Sequence, residues 1–591
     1  MSSTASPSPM INVQINGTWK QFPKGTRLIE ACMQSGEHIP HYCYHPKLSV
    51  PGNCRMCLVE TGAPKMSPDR KPELGPDGHP LINWSPRPAI SCALEVSEGM
   101  AVRTNSPLVE ECRKGVMEFL LINHPLDCPI CDKAGECRLQ EFSVEYGHGG
   151  SRFEEEKVKK PKHVDIGQHI VLDDERCILC SRCIRFMQEV AHDDVLGFVN
   201  RGSHSTLTVH PGKRLDNNYS LNTVDICPVG ALTSKDFRFK MRVWFLKETK
   251  TIDVSCGTGS NILIGSRENK VHRITPRQNE EVNSYWMPDS HRLNYKYIEC
   301  EDRLTQPHVS NNRPLSKFAA GDEEQGETAH RRGVYKEILD ETSTGTTQLF
   351  ASAVEFGKRS ATWHEALEEA AQALREATPG SVALIASGRM TNEELFLTRR
   401  LQQALSIELF DIRPRAQEGD GFLIANDGNP NTRGAQLLGL TSSEPGSRLS
   451  AIETGIASGR ITSLICLHEN AVACGISEAS LASLKNLIVL DILPNATTKL
   501  ATILLPGSAA AEKRGSMINV KGRLQRLHQA LQPPGSARDD WEILNDLIRL
   551  ITSHPGPAMI EGLFNEMATE VPALSGLSLG KIGDLGIALA L

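Results

Sequence analysis

The stretch HPLDCPICDKAGEC carries four metal-donor side chains within fourteen residues: His124, Cys128, Cys131 and Cys137. Two more groups flank it. CYHPKLSVPGNCRMC with a later ISC supplies Cys43, Cys54, Cys57 and Cys92, and CILCSRC with CPVGAL supplies Cys177, Cys180, Cys183 and Cys227. A C-x2-C-x2-C run presents three thiolates from one tight loop to three corners of a cubane, and a fourth cysteine followed by Pro228 completes it. Tetrahedral zinc prefers C-x2-C pairs set far apart, so this third group reads as a [4Fe–4S] site. The first group has the long-gap spacing of a [2Fe–2S] site. The middle group offers three thiols and one imidazole. No further cysteine follows until Cys177, and Cys112 could compete only from upstream. His124 is therefore expected to be the fourth ligand of a second [4Fe–4S] site. A neutral imidazole in place of a thiolate makes such a cluster less negative and favours its reduced form.

The elements that must position these residues can be read nearby. INVQING alternates into Asn16-Gly17, a hairpin signal, and TWKQFPKG reads as the return strand. Thr26 is expected to N-cap a helix through Leu28, Ile29 and Cys32, with Cys32 in the core. Strand, turn, strand, helix and Cys-bearing loop open a β-grasp ferredoxin, in which Gly52 relieves the loop. The stretch APKMSPDRKPELGPDGHPLINWSPRP, between Cys57 and Cys92, is expected to be a surface loop. VEECRKGVMEFLLINH reads as an amphipathic helix into the middle group, with Cys112 structural. Arg176, Arg182 and Arg185 surround the third group. They are either cations that favour a reduced cluster or residues that are solvated or at a subunit interface.

The chain has 591 residues, a net charge of −7 and 17 cysteines, 13 of them before residue 230. Thiols clustered in this way favour metal or redox chemistry over disulfides. Mixed charge argues against nucleic-acid binding and against a polybasic membrane anchor. No run reaches the roughly 18 apolar residues of a membrane span. The longest candidate, LKNLIVLDILPNATTKLATILLPG, is interrupted by Asp491, Pro494 and Lys499. MSSTASPSPM reads as a short flexible lead without an export or import pattern.

The order of the three groups, with H-x3-C-x2-C-x5-C in the middle, resembles the G-type (75 kDa) iron–sulfur subunit family of NADH-quinone oxidoreductases, respiratory complex I. The resemblance covers residues 11 to about 247. It implies a β-grasp [2Fe–2S] ferredoxin domain over 1–105, a [4Fe–4S] domain with one histidine and three cysteine ligands over 106–146 and a ferredoxin-like [4Fe–4S] domain over 147–247. Residues 248–306 are similar to the small β-rich domain that opens molybdopterin oxidoreductases. Here SCGTGSN retains only Cys256, and Cys300 stands alone, so that domain is expected to lack its cluster. CGTGSNI also fails as a dinucleotide fingerprint, with Ile262 where a third glycine is needed.

Residues 307–591 are expected to form a molybdopterin-oxidoreductase-like α/β domain without cofactor, giving a multidomain α+β and α/β chain. AAGDEEQGETAHRRGVYKEILDETSTGTTQ reads as a surface cover. Thr362 with Glu365, and Thr391 with Glu394 after Gly388, read as capping boxes. SVALIAS, SLICL, NLIVL and TILLP read as strands of a parallel sheet. AEKRGSMINVKGRLQ resembles the family's A-E-x-x-G-x-x-x-N-x-x-G-R-x-Q segment, and Cys466 and Cys474 read as core thiols.

The resemblance implies one [2Fe–2S] and two [4Fe–4S] clusters, with neither molybdenum nor FMN. It implies single-electron conduction between a flavin-bearing NADH-oxidising subunit and quinone-side iron–sulfur subunits, coupled to proton translocation by the whole complex. Membrane association would run only through other subunits, in the peripheral arm on the cytoplasmic side of a bacterial inner membrane. The competing readings are an NAD-linked formate dehydrogenase-type subunit, distinguished by molybdenum and pterin content, and a zinc-stabilised scaffold, which would be colourless.

Overall fold

A computed structural model describes residues 8–76, 78–311 and 357–590. The acid-rich segment read as a surface cover and the first seven residues of the lead lie outside these. The chain divides into two units, Met1–Phe245 and Leu246–Leu591.

In the first unit Met10–Ile15 and Thr18–Pro23 pair antiparallel, with Ile15 opposite Thr18. Asn16 and Gly17, both at positive φ, form the two-residue turn. Primed turns require this conformation and match the strand twist. Met10–Ile15 also pairs parallel to Ala101–Arg103, which continues to Leu58–Pro64 and Ile82–Trp84. The helix Leu28–Gln34 packs Leu28, Ile29 and Cys32 against Val13, Val59 and Val102. Its cap corrects the sequence reading. Arg27 is the N-cap residue, and the Thr26 hydroxyl donates back to the Pro23 carbonyl at 2.7 Å. The expected surface loop before Cys92 is also corrected in part, because Gly62, Ala63 and Pro64 pair with Trp84, Asn83 and Ile82. Its Pro- and Gly-rich composition concealed these pairs, although Leu74 at its tip is 63% exposed. The two remaining cysteine groups sit on short elements. These include the helices Pro107–Leu121, Arg138–Tyr146, Arg182–Glu189 and Asn222–Ile226.

The second unit opens with an antiparallel meander of Lys247–Ile252, Asn261–Arg267 and Lys270–Pro276. Its main sheet runs, in spatial order, Lys358–Ser360, His308–Ser310, Ile503–Pro506, Asn486–Asp491, Ser463–Leu467, Val382–Ala386 and Leu409–Ile412. The last five are parallel, as their unbroken apolar runs predict. Helices Trp363–Arg375, Asn392–Ala404 and Asp540–Thr552 help to cover a core that includes Phe396, Leu401, Leu544 and Phe564. No helix among the described residues is long and apolar enough to cross a membrane.

Thr391 and Glu394 form the reciprocal capping box as expected. At Thr362 the hydroxyl accepts from the Glu365 amide, but the Glu365 carboxylate pairs with Arg359 at 2.6 Å. Thr362→Ala should therefore remove a single-sided cap and destabilise this unit by about 1 kcal/mol in urea titration. Buried Glu393 accepts from the amide and hydroxyl of Ser516 at 2.8 and 2.9 Å, and burial raises its pKa to about 7. An acid held above its unfolded pKa stabilises fully below the unfolded value and loses that contribution as pH rises through 7. Glu393→Gln should flatten the fall in stability between pH 5 and 8, as seen in denaturation midpoints.

Candidate metal centres

The first thiol group forms where the chain leaves the Leu28–Gln34 helix and returns to the sheet. Gly52 at φ +63 and Arg55 at φ +59 bend the loop, and a Cβ on Gly52 would come within 2.9 Å of Ile90 Cδ1. Cys57 leads directly into Leu58–Pro64, and Cys92 follows Ala89–Ile90. Cys54 and Cys92 reach the Cys43 sulfur as hydrogen-bonding thiols and hold it far below the ordinary thiol range. The bond to Cys92 also lowers Cys57, to about 7. Cys54 and Cys92 are pushed up by the same hydrogen bonds and by burial. One thiolate shared among thiol donors is an arrangement that a cation can replace, with release of protons.

In the middle group His124 follows the Pro107–Leu121 helix, Cys128 opens a short turn through Ile130, and Cys137 is the N-cap residue of Arg138–Tyr146. All four expected ligands line one cavity of about 930 Å³. Cys112 is not among the lining residues, consistent with a structural role. Burial raises Cys131 and Cys137 and lowers His124 to about 4. A neutral imidazole keeps a ring lone pair for a metal. Cys128 is exposed, and Phe119, Leu126 and Val144 on the same wall are 78%, 88% and 88% exposed. Gly230 passes so close that a Cβ there would lie 2.2 Å from Cys131 Sγ. Sequence reading missed this glycine, whose only signal is its place in the CPVGAL run of the third group.

In the third group Leu179 and Ser181, both in the left-handed region, alternate with the cysteines and turn the loop, and the Leu179 amide points to Cys177 Sγ at 3.4 Å. Cys183 lies in the first turn of Arg182–Glu189, and Cys227 ends Asn222–Ile226. Burial and neighbouring thiols push Cys180 up to about 11 and Cys177 and Cys183 up as well, with Cys227 a neighbour of all three. Among the described residues no three His, Cys, Asp or Glu side chains form a group that could hold a single metal ion. Each set shares a neighbourhood, and the donor chemistry and the Gly230 cradle fit a larger sulfide-bridged group.

The arginines are buried, which removes the solvated reading. Arg185 donates to Cys43 O at 2.6 Å, to Cys180 O at 3.4 Å and to Ser49 O, thereby touching the first and third groups. Arg182 donates to Ile226 O at 3.1 Å and to Tyr44 O. Arg176 pairs with Asp127 and Asp173 at 3.0 Å each and donates to Gly230 O at 3.4 Å, tying the second group to the third. In the second unit Cys256 is buried, with the amides of Thr258 and Ala425 each 3.5 Å from its sulfur. Cys300 is half-buried at the end of a short turn. Cys466 and Cys474 donate to the carbonyls of Glu469 and Asn470, as core thiols do.

Several family descriptions match successive parts of the chain. These are a 2Fe-2S iron-sulfur cluster binding domain (8–107), the NADH-ubiquinone oxidoreductase-G iron-sulfur binding region (113–152) and the ferredoxin-like domain of NADH-quinone oxidoreductase subunit 3 (167–233). An NDSU1/NuoG-like 4Fe-4S domain matches 246–296, and molybdopterin oxidoreductase matches 424–550. The G subunit of the NADH-quinone oxidoreductase of Rickettsia felis is 37% identical over 68% of this chain and 51% of its own length. The NADH-ubiquinone oxidoreductase 75 kDa subunit of Reclinomonas americana is 43% identical over 51% of this chain and 38% of its own. The chain thus spans about half the length, or less, of these curated relatives. A chain from an NAD+-reducing [NiFe]-hydrogenase crystal structure in the H2-reduced state aligns at 27% identity. The alignment covers 39% of this chain and 91% of that one, with a TM-score of 0.33.

Gly230→Ala should force Cys131 out of position. Metal analysis should show less metal bound by the purified variant than by the wild-type chain.

Proposed function

Since this chain is a homologue of the G subunits and 75 kDa subunits of NADH-quinone oxidoreductases, and carries 2Fe-2S and 4Fe-4S binding domains, we propose that it is an iron–sulfur electron-carrying subunit of such an oxidoreductase. The observation that carries this reading is the gathering of three thiol groups in one unit, with buried Arg185 hydrogen-bonded to the backbones of Cys43 and Cys180 in two of them. Cys43, Cys54, Cys57 and Cys92 would hold a [2Fe–2S] cluster. His124, Cys128, Cys131 and Cys137 would hold one [4Fe–4S] cluster, and Cys177, Cys180, Cys183 and Cys227 another. Such clusters supply one-electron oxidation and reduction at fixed positions.

The protein's own residues do the rest. His124 stays neutral and offers nitrogen where the other ligands offer sulfur. Arg182 and Arg185 place positive charge beside the first and third groups, which favours the more negative redox state. Burial of Cys43, Cys57 and Cys92 keeps water from the first group. No molybdenum or FMN role is assigned.

The proposed partners are a flavin-bearing NADH-oxidising subunit and quinone-side iron–sulfur subunits, with proton translocation belonging to the whole complex. The proposed place is the peripheral arm on the cytoplasmic face of a bacterial membrane. The exposed Phe119, Leu126 and Val144 beside the middle group support burial of that face by another subunit.

Iron and zinc analysis with low-temperature EPR on anaerobically purified protein tests the reading. About ten irons per chain are expected from one binuclear and two tetranuclear sites. His124→Ala should remove or alter one tetranuclear signal and spare the others, and His124→Cys should lower that cluster's potential. Zinc in place of iron would overturn electron carriage, whereas signals indifferent to both substitutions would move the fourth ligand away from His124.

A further inference from the structure

The last carbonyls of a helix have no partner within it. At the end of Pro107–Leu121, just before His124, a side chain from a distant segment meets them. Lys157 Nζ donates to Leu121 O at 2.9 Å and to Ile122 O at 2.8 Å. The next residue continues the grip, with the Val158 amide donating to Asn123 Oδ1 at 3.1 Å. Three consecutive residues are thus held by a segment 35 residues further along the chain. The His124 amide, 3.2 Å from Leu121 O, carries that hold to the histidine itself. We propose that Lys157 positions His124 and supplies a positive charge that favours the reduced state of the middle group's cluster. The proposal rests on the [4Fe–4S] reading of that group.

The carboxylates around the middle group have other partners. Asp127 is held by Arg176 at 3.0 Å and by Lys162 at 2.8 Å. Glu118 is held by Arg152 at 2.6 Å, and Glu111 on the cavity rim acts on the same guanidinium. Glu136 pairs with Lys133 at 3.4 Å. Asp132 accepts from the Phe239 amide at 3.0 Å and lies near Arg238 and Arg242. Lys157 is half-buried, lines the same cavity as the four expected ligands, and has no carboxylate partner among the described residues. Burial, and then the charge of Lys159, lower its pKa. Of the charges that bear on the His124 imidazole, that of Lys157 acts most strongly, ahead of Arg176 and Asp127.

An ammonium bonded only to carbonyls keeps its charge unpaired. One-electron reduction makes a cluster one unit more negative, so a fixed cation nearby favours that state. A half-buried wall strengthens the effect, because water and salt screen it less there. The hold on the helix end and the charge can be separated by substitution. Lys157→Arg keeps both, Lys157→Gln keeps a donor without the charge, and Lys157→Met keeps only the apolar stem.

Potentiometric EPR titration of the anaerobically purified full-length chain tests the proposal, with the signal altered by His124→Ala marking the middle cluster. Lys157→Gln should lower that cluster's midpoint potential by on the order of tenfold in its reduction equilibrium, about 59 mV for one electron. Lys157→Arg should recover most of the shift. Lys157→Met should also change the line shape of the middle signal, or remove it, while the other two clusters remain. An unchanged potential in Lys157→Gln, or an equal shift in all three clusters, would overturn the charge assignment. A middle signal of wild-type line shape in Lys157→Met would overturn the positioning role. A wild-type chain without tetranuclear iron would instead overturn the reading of the site itself, and this proposal with it.

Discussion

A buried guanidinium hydrogen-bonded to backbone carbonyls is the contact on which the front of this molecule depends. Arg185 sits 7% exposed between the first and third cysteine groups and donates to carbonyls of both. A charge removed from water is costly unless it is paired and fully hydrogen-bonded. The negative charge near Arg185 is that of Glu189 and, when they are deprotonated, of the sulfurs of Cys180, Cys43 and Cys183. Arg182 has the sulfurs of Cys180 and Cys43 as its neighbours of that kind. Burial by itself raises Cys177, Cys180 and Cys183, so a bound cation that displaces their protons would supply the negative charge these guanidiniums lack.

Arg176 plays a different part, because its charge is already met by Asp127 and Asp173. It fixes the Cys177 end of the third group against the loop of the middle group without calling on a thiolate. The three cations look alike in sequence, yet two depend on the sites they join and one does not.

Local chemistry was the legible part. Asn16-Gly17 set both a turn and the register of its strands, the Thr391 box began a helix where expected, and four apolar runs became neighbouring parallel strands. The twelve candidate ligands were named from residue type and spacing, and they lie in three neighbourhoods of the first unit. What sequence reading could not supply were contacts made across distance. Gly230 matters because it passes Cys131, roughly a hundred residues earlier in the chain. Strand pairs hid in the Pro-rich excursion before Cys92 because edge strands tolerate such residues. Charged side chains such as Lys513, Glu394, Asp540 and Glu512 are each buried and paired, which composition does not show. In the AEKRGSM run, Glu512 takes two hydrogen bonds from Arg303, at 2.9 and 2.7 Å, and Lys513 closes the adjoining network. The segment holds the second unit together whether or not anything binds near it.

The three thiol groups differ in one respect that spacing does not show. Cys128 is exposed, while Cys131 and Cys137 beside it are buried, and in the other two groups every cysteine is at least half-buried. Oxidation of sulfur follows access as well as thiolate character. In the isolated chain, dissolved oxygen and peroxide therefore meet one corner of the middle site first. Aerobic ageing should proceed in sequence, with Cys128 oxidised before the cysteines of the other two groups.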